Sequence, residues 1–164
     1  MKIQTLQDMF LHTLKDIHYA EAKILKSLPK MIKASKNEDL KDVLKAHLKE
    51  TEGQIERIKQ VFQLMNVKVE SAKCDAIEGI LKEGEAMLED TNGTPMCDLG
   101  VIATGQAVEH YEIVRYRSLV MWAGALDMKE AAELLQKSLN EERQADEKLM
   151  AFGVQVQKET VDAA

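Results

Sequence analysis

Residues 103–116, ATGQAVEHYEIVRY, decide how the rest of this chain folds. At about 100° per residue, Ile102, Gly105, Gln106, Glu109, Glu112, Ile113 and Tyr116 share one helical face. The apolar members of that face need a core, so Glu109 and Glu112 are predicted to point inward with them. Carboxylates are almost never fully buried unless paired, and an unpaired buried charge is costly enough to neutralise instead. The pair therefore calls for something positive between this helix and its neighbours.

The composition around the stretch favours helices. Of 164 residues, 30% are charged, 45% are hydrophobic, and only two are proline and eight glycine. That is the profile of a soluble chain of long helices in a single domain, 1–164. The net charge is -6 and lysines alternate with glutamates, so no basic stripe is left for nucleic acid. Uncharged runs such as Ser118–Leu126 are far too short to span a membrane. The N-terminal MKIQTLQDMF has no apolar signal core. Cys74 and Cys97 are too few for a disulfide scaffold and too widely spaced for a CxxC motif. Two reduced thiols in a cytoplasmic protein are expected.

Working outward, the periodicity predicts bundle helices over residues 5–33, 38–65, 95–123 and 128–156, with a shorter helix over 75–89. Thr5 with Asp8, Ser35 with Glu38, and Asp127 with Glu130 read as capping boxes. Thr94-Pro95 opens the third long helix, and Asn92-Gly93 closes the short one. Pro29 is expected to bend the first helix, because Met31 and Ile32 continue its apolar pattern. A polar tail follows Val156. Two tight links flank one connection of roughly thirty residues, which is the connectivity of a ferritin-like antiparallel four-helix bundle whose one long crossover carries an extra short helix. Trp122 and the methionines at helical spacing read as core.

Each long helix carries a carboxylate within its apolar stripe, near its midpoint: Glu21; Glu50; Glu109 with Glu112; Glu142 with Asp146. One such residue alone most often snorkels its head to water. Four at one depth are different, because six converging carboxylates could not all stay ionised without cations. Two metal ions resolve the conflict, and a carboxylate-rich donor set favours Fe or Mn. Gln54, one turn after Glu50, could ligate or hydrogen-bond a ligand. His47, three residues before Glu50, reads as a terminal ligand or, better, as a residue supporting one. Tyr116 reads as packing, and Glu141 as projecting away from the core.

These segments, DIHYAEAKI around Glu21, AHLKETEGQIERI around Glu50, VEHYEI around Glu109 and LNEERQADEKL around Glu142, resemble the YciF/YciE-type ferritin-like stress proteins over nearly the whole chain. The resemblance implies a bacterial cytosolic, stress-associated protein with a rubrerythrin-like bundle, expected as a homodimer. It implies no established reaction. The wider dinuclear group uses Glu on two helices and Glu-x-x-His on the other two. Here Gly53 and Ala145 stand where those histidines would be, and Gln54 and Asp146 follow them. The Glu-x-x-Glu of Glu109 and Glu112 resembles the third bundle helix of rubrerythrin.

Two functions fit these observations. One is a dinuclear Fe or Mn protein able to react with oxygen or peroxide. Glu50 and Glu142 would bridge the ions, with Glu21, Glu109 and Glu112 as further ligands. The other is a non-catalytic structural or interaction protein with a vestigial site, whose carboxylates pair with Arg57, Arg115 or Arg143 or share protons.

Overall fold

A computed structural model describes residues 2–162, as five α-helices with no strand among the described residues. They are α1 (Leu6–Ala34), α2 (Glu38–Leu64), α3 (Asp75–Asp90), α4 (Cys97–Ala125) and α5 (Lys129–Asp162). Four of them close a ring in the order α1, α2, α5, α4, and α3 lies outside it against α1 and α4. Neighbours in the ring run antiparallel. Ala34 meets Cys97 at one end of the α1–α4 seam and Asp16 meets Tyr111 toward the other. On the α2–α5 seam His47 lies beside Glu142, and Arg57 beside Ser138. This is the ferritin-like bundle with one long crossover.

The crossover returns the chain along the length of the bundle. Ala72 N–H donates to Lys15 O at 3.0 Å, which lays the strap against α1. α3 then runs parallel to α1, with Tyr19 and Lys30 reaching Glu78 and Glu85. Against α4 it approaches closely enough to need small residues. A Cβ on Gly84 would clash with Thr104, and one on Gly100 would lie 2.7 Å from Thr91 Oγ1. α4 packs against α1, α3 and α5, so most of its circumference is apolar, while Ala103, His110, Val114, Arg117 and Met121 stay exposed.

The helix ends follow local chemistry. Thr5 and Asp8 form the expected capping box. Pro29 faces solvent and does not stop α1, which continues to Ala34. At α2 the cap is Asn37, whose side chain accepts from Leu40 N–H at 3.0 Å, rather than Ser35. Ser35 is diverted: its hydroxyl donates to Asp98 Oδ1 at 2.8 Å, and the Lys36 and Asn37 amides also donate to that carboxylate. Thr94 is not the cap of α4 either: α4 begins at Cys97 with Met96 as its N-cap, and Thr94 accepts from Met96 N–H at 3.1 Å in the turn before it. Asp127 is likewise not a cap. It sits at φ 56°, as Asn66 does at 55°, and each terminates the preceding helix in a left-handed conformation that Asn and Asp tolerate. α5 does not fray at Val156 but continues to Asp162, and the remainder of the predicted tail lies outside the described residues.

The core is built by Phe10, Leu14, Ile17 and Ile24 of α1, Ile58 and Phe62 of α2, Tyr116 and Leu119 of α4, and Leu135 and Leu149 of α5. The reading of the methionines as core is corrected in part: Met31 is buried, and Met65 and Met128, like Trp122, pack half-buried against the core, but Met9, Met87, Met96, Met121 and Met150 are exposed.

Candidate metal centre

At mid-bundle the apolar core is interrupted. One ligating atom from each of His47, Glu109, Glu112 and Glu142 lies within 4.8 Å of the others, and all four residues are buried. Glu21 of α1 borders this group and is also fully buried. His47 Nε2 lies 3.3 Å from Glu109 Oε1 and 4.0 Å from Glu142 Oε2, without alignment for a hydrogen bond to either. Gln54 Nε2 donates to Glu142 Oε1, and Tyr116 O–H donates to Glu21 Oε1.

The eight residues singled out from sequence take different positions. Glu21, Glu109, Glu112 and Glu142 enter the interior from three helices. The fourth helix, α2, sends in His47 and Gln54 instead of Glu50. Glu50 stays on the seam, its side chain 30% exposed and its Oε2 3.5 Å from His47 Nδ1. Asp146 lies on the α4–α5 seam, where Gln106 Nε2 donates to it at 3.1 Å and His110 Nε2 is 3.3 Å away. His47 is thus within the cluster rather than behind it. Tyr116 does more than pack, and Glu141, outside the core as expected, lies on the α2–α5 seam, where Arg57 and Gln54 donate to it. Arg57 pairs with Glu141 and Arg115 with Asp16, so both arginines are engaged elsewhere.

The interior carboxyls are strongly perturbed. Burial holds Glu21, Glu109 and Glu112 well above the ordinary carboxylate range, and Glu142 beside them adds to the effect. Burial also pushes the Tyr116 phenol up, which keeps it a donor to Glu21. The ordinary value of these carboxyls is 4.5. Above it the unfolded chain releases protons that the folded chain retains, so folding stability falls with rising pH until the folded groups ionise in turn. Melted in excess chelator, the protein should lose melting temperature as the pH rises above about 5. A flat or rising profile would contradict this protonation scheme.

Among the described residues, nine buried side-chain N and O atoms have no hydrogen-bond partner. All but Thr104 Oγ1 belong to Glu21, His47, Gln54, Glu109, Glu112 and Glu142. Buried polar atoms are normally satisfied. Orphans gathered at one point, all able to ligate, fit a metal ion. Carboxylates with a single imidazole fit iron or manganese by donor type. The periodicity of α4 and α5 pointed to this place. In α2 it could not choose between His47 and Glu50, which differ by only about 60° around the helix.

The sequence pattern of the family described as Domain of unknown function (DUF892) matches residues 5–161. Protein YciF of Escherichia coli strain K12 is 41% identical over 155 residues, covering 94% of this chain and 93% of YciF. The crystal structure of that E. coli stress protein superimposes with a TM-score of 0.90 at 39% identity, over 95% of this chain and 99% of that one. YcfI from Rhodopseudomonas palustris gives 0.88 at 44% identity, over 90% of this chain and 94% of its own. A protein from Xanthomonas campestris pv. campestris, 21% identical with a TM-score of 0.75 over 96% of this chain and 97% of its own, shares the fold.

Proposed function

This chain belongs to the DUF892 family, and on that premise we propose that it is a cytosolic, stress-associated ferritin-like protein holding two iron or manganese ions. The observation that carries this reading is the gathering of unpartnered carboxylate and imidazole atoms in a dry mid-bundle site. His47, Glu109, Glu112 and Glu142 would hold one ion. Glu21, with Glu112 and Glu142 as shared ligands, would hold the other. When bound, such ions supply one-electron chemistry toward dioxygen or peroxide.

The chain's own residues prepare the site. Gln54 donates to one Glu142 oxygen and leaves the other free. Tyr116 does the same for Glu21. Gln106 and His110 hold Asp146 on the adjoining seam, close enough to Glu109 to raise its carboxyl further. The apolar residues above and below exclude water and leave the carboxylates few partners except each other and a cation. The assembly we propose is a homodimer, to be read by sedimentation.

Elemental analysis of protein purified without chelator should find iron or manganese. Adding Fe(II) or Mn(II) to chelated protein should raise its melting temperature. Occupancy at a hundred times the dissociation constant gives about 2.7 kcal/mol, or roughly 5–10 °C for a chain of this size. Metal-free protein whose melting ignores both ions would refute the reading.

A further inference from the structure

The residues that would hold the ions are sealed: Glu112 and Glu142 are 0% exposed, and His47 and Glu109 3%. A cation must therefore reach them along a seam. Three acidic side chains border the group and also touch solvent: Glu50, Glu141 and Asp146. Asp146 has one oxygen bonded to Gln106 and the other close to His110. Glu141 Oε2 accepts from both Arg57 and Gln54, and the guanidinium there repels a cation.

Glu50 differs from both in pairing with no lysine or arginine, although Lys148 and Arg57 act on it from farther off. Its nearest charge partner is the His47 imidazole, with Nδ1 3.5 Å away, and the far nitrogen of that ring faces Glu109 and Glu142. A small cavity, lined also by Leu81, touches His47 and Glu109. Apart from Ser27 its remaining walls are apolar, among them Ile24, Leu28, Met31 and Leu44, and such a lining would strip a cation of water with little in return. We propose that Glu50 is an intake carboxylate: it takes a divalent cation from solvent on the α2–α5 seam and passes it across His47 to Glu109 and Glu142. This inference rests on the metal-binding reading above and adds the route by which the site fills.

The test is the rate of loading, with Co(II) as the probe ion followed by its visible absorption in stopped flow. Glu50→Gln should slow uptake about tenfold, within the range by which focused charge raises association rates, and leave the final Co(II) per chain unchanged. Its uptake should also depend less on ionic strength. Glu52→Gln, the same charge change at an exposed position on the same helix, should load at the parental rate. Equal rates for Glu50→Gln and the parent would overturn the proposal. So would a lower final Co(II) content, which would make Glu50 a resident ligand. If the parent itself took up no Co(II), Fe(II) or Mn(II), the metal-binding reading would fall first, and the intake route with it.

Discussion

Glu142→Gln should abolish the metal-dependent rise in melting temperature while leaving the chelated protein as stable as the parent, or more so. Glu142 is fully buried, and its charge helps to hold the carboxyls of Glu21, Glu109 and Glu112 above their ordinary range. Removing that charge relieves repulsion in the chelated state. The amide keeps nearly the same shape and can still accept from Gln54. Its weaker donor atom cannot be shared between two cations, so the roughly 5–10 °C gained by the parent on adding Fe(II) or Mn(II) should shrink to almost nothing. A variant that melts like the parent with and without metal would show that Glu142 holds no ion. One that unfolds in chelator would show that the carboxylate is a structural partner. Glu21→Gln should behave in the same direction.

Tyr116→Ala should be among the most damaging single changes away from the helix ends. The ring is 0% exposed at mid-bundle, between the apolar core and Glu21. Deleting a buried aromatic side chain costs about 3–5 kcal/mol, or roughly 10 °C here. Tyr116→Phe separates packing from hydrogen bonding. It retains the ring but leaves Glu21 without its donor, at a cost of about 1–3 kcal/mol. Thermal melts of both variants in chelator check the order. Equal losses for Ala and Phe would mean that the phenol, not the ring, carries the contribution. No loss for Phe would mean that Glu21 finds another partner.

The helices were legible because burial repeats with their period. The crossover was legible from a connection too long to be a turn. The inward carboxylates of α1, α4 and α5 were legible for the same reason, since Glu21, Glu109, Glu112 and Glu142 lie among residues with nowhere else to go. In α2 the stripe was ambiguous. His47, Thr51 and Gln54 centre the buried face, while Glu50 and Arg57 flank it toward α5. A rotation of a fraction of a turn, set by packing against α1 and α5, decides between imidazole and carboxylate. The caps expected at Ser35 and Asp127 do not form, for a tertiary reason and a local one. Asp98 of α4 captures the Ser35 hydroxyl, and Asp127 is used to stop α4. The Glu141 pairing depends on Arg57 crossing from α2, which no reading of α5 alone contains.

One crystal grown from protein purified without chelator, measured at the iron and manganese absorption edges, tests the central claim most directly. Two anomalous peaks are expected at mid-bundle: one within bonding distance of His47, Glu109, Glu112 and Glu142, the other beside Glu21 and shared with Glu112 and Glu142. A map with no peak at either edge among these side chains, and with their carboxyls hydrogen-bonded only to one another, would contradict it.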